Sequence, residues 1–234
     1  GGAFVIINTF FMVFLTKALG IPAAWAGAIP LIGKVWDAVT DPIMGNVTDR
    51  TTSRLGPKRF YILIGGIISA FTFVFLWTTI PTESKVAMFI YYIVIYCLFS
   101  TGFTILMVPY NGLLPDMMDD YAVRSKFSAL RMIWSTLGAI AAGIIPTLMI
   151  KDNLQVSMYL KVGILFGILF CMSSLISFAG TWEKLREPVK TGIGDSFSQA
   201  ASVFKSRSFR IFIGIYLSGQ GGMDFVSGMA IYYV

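Results

Sequence analysis

The sequence predicts an all-α membrane protein, and two observations carry that prediction. Of its 234 residues, 56% are hydrophobic and only 13% are charged, whereas soluble domains carry roughly 25% charged residues. The apolar residues are gathered into stretches near or above the roughly 20 residues that a helix needs to cross a bilayer. The chain contains no histidine, which excludes imidazole catalysis and histidine-ligated metal sites.

Seven apolar stretches are predicted to form membrane-spanning helices. In chain order they lie near residues 2–20, 23–47, 60–80, 86–114, 127–150, 156–180 and 209–234. Cys97 and Cys171 each lie alone within an apolar span. We therefore interpret both as small buried hydrophobes rather than as a redox pair.

Lysine and arginine are distributed unevenly between two alternating sets of connections. The basic set carries Arg50, Arg54, Lys58, Arg59, Arg124, Lys126, Lys184, Arg186, Lys190, Lys205 and Arg207. The other set carries only Lys17, Lys85 and Lys151. Because cytoplasmic loops are enriched in basic residues, the first span is predicted to start inside the cell and the seventh to end outside. The predicted location is the cell (inner or cytoplasmic) membrane.

The connections also predict the domain organisation. Residues 1–180 are expected to form a six-helix transmembrane bundle, and residues 181–207 a cytoplasmic linker containing a short helix. Residues 208–234 are expected to form helix 7, the start of a second bundle. Since the chain begins and ends within apolar runs, we expect it to be part of a longer protein that includes a carboxy-terminal bundle.

Three ionisable residues lie within the second span, where charge is costly and usually functional. Lys34, Asp37 and Asp41 are spaced by three, four and seven residues, which keeps them within about 60° on one helix face. Two carboxylates against one ammonium leave that face with excess negative charge. With Thr40 they offer hard oxygen ligands suited to Na⁺ or Li⁺, or a proton shared between the acids. The alternative is a neutralised pair that only holds helices together, which leaves the second carboxylate unexplained.

The connection after the second span combines glycine, aspartate and spaced cations. Gly45, Asp49, Arg50, Arg54 and Lys58 form a pattern that resembles the loop between spans two and three of the major facilitator superfamily. There the charges hold neighbouring helix ends in one conformation and release them in another. The alternative, a basic loop that only follows the topology rule, explains the cations but neither the glycine nor the aspartate.

Longer motifs extend this resemblance over essentially the whole chain. They are WDAVTDPIMG at 36–45, the loop at 49–58, PYNGLLP at 109–115 with its continuation to residue 124, SALR at 128–131 and GMAIYY at 228–233. Together they resemble the glycoside–pentoside–hexuronide:cation symporter family of the major facilitator superfamily. Members have twelve spans, so the resemblance implies the amino-terminal six-helix bundle plus helix 7 of the major facilitator fold.

The resemblance also implies site residues. Asp37, Thr40, Asp41 and Thr104 fall on the family's cation-site positions, and Arg131 on the span-five arginine that contacts sugar. Two positions depart from the melibiose branch of the family. Met107 stands where that branch has a galactoside-binding aspartate, and Asn111 replaces a nearby tryptophan.

Further residues are predicted to contribute to the substrate site. Lys34 occupies a position that is often arginine in the family, and Asp224 is expected to take over part of the role lost at Met107. Asn111 lies within the PYNGLLP motif. Tyr110 offers a hydroxyl to a polyol, and Trp134 offers a stacking face.

We therefore expect a secondary active transporter that couples a gradient of Na⁺, Li⁺ or H⁺ to uptake of a glycoside or small oligosaccharide by alternating access. The expected partners are the sugar, membrane lipid and the carboxy-terminal bundle, with no nucleic acid and no cofactor besides the coupling cation. An enzyme is not expected, since the sequence offers no nucleophile–base pair. Two alternatives stay open: a seven-span receptor or scaffold, and an exporter or lipid transporter on the same fold.

Overall fold

The computed structural model describes residues 2–53, 56–118, 120–150, 155–183 and 206–233. Within these ranges every regular element is a helix, which confirms the all-α fold class. The helices are α1 (Gly2–Ala18), α2 (Ala23–Arg50), α3 (Pro57–Phe75), α4 (Lys85–Met117), α5 (Tyr121–Met149), α6 (Val156–Gly180) and α7 (Arg207–Tyr233).

Four of these helices are long and apolar enough to cross a membrane by length and hydropathy alone. They are α3, α4, α5 and α6, of 19, 33, 29 and 25 residues. Helix α1 is apolar but shorter. Helix α2 has 28 residues and carries the three ionisable side chains of the second predicted span. The chain is therefore part of a multi-pass membrane protein.

The chain forms two compact units, Gly1–Pro188 and Val189–Val234. The first unit contains α1 to α6, and the second contains α7. The predicted linker falls almost wholly outside the described residues, so the predicted domain boundaries stay a prediction.

Aromatic side chains pack the end of the first unit where α3 ends and where α4 and α6 begin. Phe14 of α1, Trp77 after α3, Tyr92 of α4 and Tyr159 of α6 are all fully buried there. Trp77 and Tyr159 stack with ring centroids 5.9 Å apart and an interplanar angle of 10°. Such aromatic contacts stabilise helix packing in a bilayer, where the hydrophobic effect contributes little to the association of helices.

Helix α1 departs from regular α-helical geometry as it crosses this aromatic core. Its segments Ile7–Phe11 and Phe14–Ala18 are π-helical. Phe11 and Phe14 lie in these segments and are buried against Trp77 and Tyr92. Because π-turns are wider than α-turns, they change which side chains of α1 face the bundle.

Helices α2 and α4 run parallel and meet along one seam with a constant offset of 63 residues. A Cβ added to Gly33 would overlap the ring of Tyr96, and one added to Gly45 would lie 3.9 Å from Val108. The absence of a side chain at Gly33 makes room for the Tyr96 ring, whereas at Gly45 a Cβ would make an ordinary van der Waals contact. The seam brings the residues between Gly33 and Gly45 against the middle of α4.

Candidate functional site

The two carboxylates of α2 lie in the seam, each opposite a hydroxyl of α4. The Ser100 hydroxyl donates a hydrogen bond to Asp37 Oδ1. One turn further along both helices, Thr104 Oγ1 donates to Asp41 Oδ1 at 2.7 Å. The structure thus brings together the predicted cation-site residues Asp37, Asp41 and Thr104, and adds Ser100.

The hydroxyls are buried, whereas the carboxylates are more exposed. Ser100 and Thr104 are 3% and 5% exposed. Asp37 is half-buried and Asp41 is exposed on the surface of this unit. The four side chains therefore form two acid–hydroxyl rows, which we call the seam site. A small cation that approaches from outside this unit would meet the carboxylates before the buried hydroxyls.

Neighbouring contacts fix the orientation of α2 at the seam site. Trp36 Nε1 donates to Thr101 Oγ1 of α4 at 2.8 Å. Thr40 Oγ1 donates to the Trp36 carbonyl oxygen of its own helix at 3.2 Å. The Thr40 side chain is half-buried beside Asp41, and its role as a cation ligand stays a prediction.

The seam site offers two carboxylates and two hydroxyls as ligands. Among the described residues, no three histidine, cysteine, aspartate or glutamate side chains gather into a metal site. Oxygen ligands suit hard cations. Lys34 lies on the exposed surface of α2, one turn before Asp37.

Three predicted substrate residues converge between α4 and α5. A guanidinium nitrogen of Arg131 donates to Asn111 Oδ1. The Arg131 guanidinium carbon lies 4.5 Å from the centroid of the Tyr110 ring. Arg131 is therefore held in position by one amide and one aromatic face. Its planar fork has further donors for a ligand.

A cavity of about 180 Å³ lies beside Arg131, between α4, α5 and the end of α6. Its walls are mainly apolar. They are formed by Tyr110, Leu113, Leu114, Met117, Phe127, Arg131, Gly180, Thr181 and Trp182.

Trp134 does not line this cavity. It is 67% exposed and lies one turn beyond Arg131 on α5. Asp224 belongs to α7, and its side chain lies outside the described residues. The substrate roles of Trp134 and Asp224 stay predictions.

A second group of charges lies where α3 begins and α4 ends. Lys58 Nζ forms an ion pair with Asp116 Oδ2 and donates to the Gly112 carbonyl oxygen at 2.9 Å. The Lys58 and Asp116 side chains are only 16% and 12% exposed. This pair joins the first turn of α3 to the last turn of α4.

Glu183, just after α6, completes this group. Its Oε2 accepts hydrogen bonds from the backbone amides of Lys58 at 3.0 Å and Arg59 at 3.4 Å. Arg59 in turn donates to the Phe178 carbonyl oxygen at 2.6 Å. A carboxylate at a helix N-terminus satisfies free amides and complements the helix dipole. We call Lys58, Arg59, Asp116 and Glu183 the end cluster.

The other predicted gating residues are placed at the end of α2. Asp49 and Arg50 are exposed in its last turn, and Gly45 lies in the seam. Arg54 lies outside the described residues. Of the predicted gating residues that are described, only Lys58 joins the end cluster. The gating role of this group stays a prediction.

Sequence reasoning missed Ser100, Asp116 and Glu183 as site residues. Ser100 had a usable signal, since it lies four residues before Thr104 and so on the same face of α4. Asp116 directly follows the PYNGLLP motif and is acidic just after a predicted helix. Glu183 had no signal, because its contacts depend on how the end of α6 meets α3.

Comparison of the sequence with known proteins shows which family this chain resembles. A family model described as "MFS/sugar transport protein" matches residues 1–234. The chain is 33% identical over 193 residues to an "uncharacterized symporter" of Synechocystis, a match covering 79% of this chain and 35% of that protein. It is 30% identical over 145 residues to a lactose permease of Lactobacillus helveticus, covering 57% and 23%. It is 31% identical over 135 residues to the "sodium-dependent lysophosphatidylcholine symporter 1" of Xenopus tropicalis, covering 57% and 26%. The chain spans half or less of the length of the curated relatives it matches.

Proposed function

This chain belongs to the MFS/sugar transport protein family, and we propose that it forms the amino-terminal part of a cation-coupled symporter of a glycoside or small oligosaccharide. The observation that carries the proposal is the seam site, where Asp37 and Asp41 each face a buried hydroxyl of α4. Several relatives bear the name symporter, and one is a lactose permease.

The proposed coupling follows from the charge of the seam site. Hydroxyls do not neutralise carboxylates, so closing this site away from water carries a large desolvation cost while the acids stay charged. A bound cation reduces that cost because it pairs with the buried charge. The cation-loaded protein therefore closes around its substrate more readily than the cation-free protein. That difference in closure links the cation gradient to sugar movement.

The proposed substrate contacts centre on Arg131. Its fork can bridge two hydroxyls of a sugar, and Asn111 beside it adds an amide able to donate or accept. Tyr110 supplies an aromatic face and a hydroxyl at the same place. In a rocking-bundle mechanism the other half of the substrate site comes from the carboxy-terminal bundle.

The end cluster is proposed to keep α3, α4 and the end of α6 together as the bundle rocks. Its ion pair and backbone contacts link three elements at one end of the unit. We propose that Asp49, Arg50 and Arg54 provide the reversible contacts to the rest of the protein, since Asp49 and Arg50 lie exposed in the last turn of α2.

One observation favours a second candidate function, the transport of an amphiphile. The cavity beside Arg131 is walled mainly by Leu113, Leu114, Met117 and Phe127, which suit an alkyl chain better than a polyol. One relative is named a sodium-dependent lysophosphatidylcholine symporter. The seam site serves both candidates, because each uses a coupling cation.

Uptake into membrane vesicles tests the proposal. The full-length protein is expected to accumulate a labelled glycoside when a Na⁺, Li⁺ or proton gradient is imposed, each varied separately. Asp41→Asn is expected to abolish accumulation while leaving substrate exchange. Glu83→Gln, which removes an exposed carboxylate before α4, is the matched control and should behave as the wild type. Gradient-driven accumulation by Asp41→Asn at the wild-type level would refute the role of the seam site.

Competition decides between the two substrate classes. If the sugar proposal is right, an excess of unlabelled disaccharide blocks uptake, whereas a lysophospholipid below its critical micelle concentration does not. The reverse pattern favours the amphiphile. In either case Arg131→Lys is expected to weaken substrate binding about tenfold or more, because a lysine cannot reproduce the planar, multi-donor guanidinium.

A further inference from the structure

Ser100 occupies a position in the seam that no prediction assigned. One offset of 63 residues is shared by the pairs Gly33–Tyr96, Asp37–Ser100, Asp41–Thr104 and Gly45–Val108. Ser100 therefore lies opposite Asp37 in the same way as Thr104 lies opposite Asp41. At one end of this series of pairs, Gly33 makes room for the Tyr96 ring. Only the two pairs in the middle carry side-chain oxygen atoms on both sides.

The hydrogen-bond acceptor of Ser100 argues against a purely structural hydroxyl. Among the described serine and threonine hydroxyls that donate a hydrogen bond, most donate to a carbonyl oxygen three or four residues earlier, as Ser69 does to Gly65 and Thr48 does to Met44. Ser100 and Thr104 instead donate across the seam to carboxylates. These two buried hydroxyls of α4 thus share an unusual orientation and face the same pair of acids.

We propose that the Ser100 hydroxyl oxygen is a direct ligand of the coupling cation. The cation then lies between the two rows and is bound by Asp37, Asp41, Ser100 and Thr104. One helical turn separates the rows by about 6 Å along the axis, so an ion midway lies about 3 Å from each row along that axis. That spacing is within reach of side-chain oxygens from both. This inference rests on the proposed function, since it adds a ligand to the same site.

Ligation requires only that the hydroxyl protons turn. Without the cation, each proton points at a carboxylate. When the cation enters, the Ser100 proton turns to the carbonyl oxygen of Tyr96, four residues earlier, as helical serines commonly do. The Thr104 proton turns in the same way to the carbonyl of Ser100. Each hydroxyl oxygen then presents lone pairs to the ion.

The hydroxyl also discriminates between alkali cations and protons. A proton needs only a carboxylate oxygen, whereas an alkali cation needs several oxygen ligands around it. Removing the Ser100 hydroxyl therefore weakens Na⁺ and Li⁺ binding, and leaves both carboxylates able to take up a proton.

Calorimetric titration of NaCl into the purified full-length protein, without sugar, tests the proposal. Ser100→Ala is expected to raise the Na⁺ dissociation constant about tenfold, the effect of losing one polar ligand to a charged group. Ser100→Thr keeps the hydroxyl and is expected to stay within about threefold of the wild type. Ser69→Ala removes an equally buried hydroxyl that contacts no carboxylate, and it should leave the constant unchanged.

The outcomes separate this inference from the proposed function. If Asp41→Asn loses Na⁺ binding but Ser100→Ala binds Na⁺ as the wild type does, the seam site stands and Ser100 is not a ligand. If Ser100→Ala and Ser69→Ala weaken binding equally, the effect is general packing and the inference is overturned. If the wild type binds neither Na⁺ nor Li⁺, both the inference and alkali-cation coupling fail.

Discussion

Two groups of described carboxylates in the first unit accept hydrogen bonds between helices, and the donors differ between the two groups. In the seam site, Asp37 and Asp41 accept hydrogen bonds from hydroxyls. In the end cluster, Asp116 pairs with the ammonium of Lys58, and Glu183 accepts from two backbone amides at a helix start. The donors to the acids are neutral hydroxyls in the seam site. In the end cluster they are an ammonium group and the backbone amides at a helix N-terminus.

This difference separates binding from structure. Acids that already have a cation or a helix terminus are stabilised within the fold and gain little from an added ion. Acids whose donors among the described residues are hydroxyls gain much more, because the added ion supplies a positive charge that a hydroxyl lacks. The same side-chain type thus serves ligand binding in the seam site and helix packing in the end cluster.

The largest expected effect comes from removing a seam charge while keeping its shape. Asp37→Asn retains an oxygen that accepts from Ser100, but it lacks the charge that attracts a cation. We expect Na⁺ affinity to fall at least about 100-fold, as for the loss of a charged ligand, with little change in the thermal stability of the cation-free protein. Isothermal titration and thermal unfolding in Na⁺-free buffer measure the two quantities. A large loss of stability would show that Asp37 is structural and would remove the contrast.

Breaking the end cluster is expected to give the opposite pattern. Lys58→Ala leaves the mostly buried Asp116 carboxylate without its cation, which costs about 3 kcal/mol of stability. Cation binding to the seam site, which shares none of these residues, should change less than about threefold. The double variant Lys58→Ala/Asp116→Ala should recover part of the stability. If the single and double variants are equally destabilised, the ion pair is not the cause.

Gly33 tests the spacing of the seam. Gly33→Ala places a methyl group where the Tyr96 ring lies, so α2 must move from α4. We expect a loss of about 1–3 kcal/mol, typical of overpacking, together with weaker cation binding. Gly138→Ala on α5 is the matched control, because a Cβ there meets no atom within 4 Å. Equal behaviour of the two variants in both assays would show that seam spacing does not matter.

The smallest expected effect lies at Glu183. Glu183→Gln keeps an oxygen that accepts from the Lys58 and Arg59 amides and loses only the negative charge. Charge at a helix N-terminus is worth about 0.3–1 kcal/mol, so the thermal midpoint should fall slightly. Raising the salt concentration should shrink this difference, since salt screens the interaction. A difference that is insensitive to salt would contradict the electrostatic origin of the contact.

Much of the fold was predictable from sequence because each span is a local pattern. Apolar runs predicted the helices, and helical spacing placed Asp37 and Asp41 on one face of α2. The offset of 63 residues between α2 and α4 was not predictable from local pattern, because it depends on how Gly33 and Tyr96 fit together. For that reason Ser100 was missed, although it lies on the same face of α4 as Thr104.

Contacts at helix ends were the least predictable part. The basic loop after α2 indicated a group of interacting charges, and Lys58 was named within it. Its partners, Asp116 and Glu183, lie 58 and 125 residues further along the chain. The π-helical turns of α1, which contain the buried Phe11 and Phe14, were also not foreseen. Local sequence carries no signal for either arrangement.

A high-resolution structure of the full-length protein in NaCl, compared with one in N-methyl-D-glucamine chloride, tests the seam site most directly. Our account predicts density for an ion between α2 and α4 in NaCl only. The carboxylates of Asp37 and Asp41 and the hydroxyl oxygens of Ser100 and Thr104 are expected to contact that ion. Identical density in both salts, with each carboxylate still accepting from its hydroxyl and no ion between them, would contradict the account.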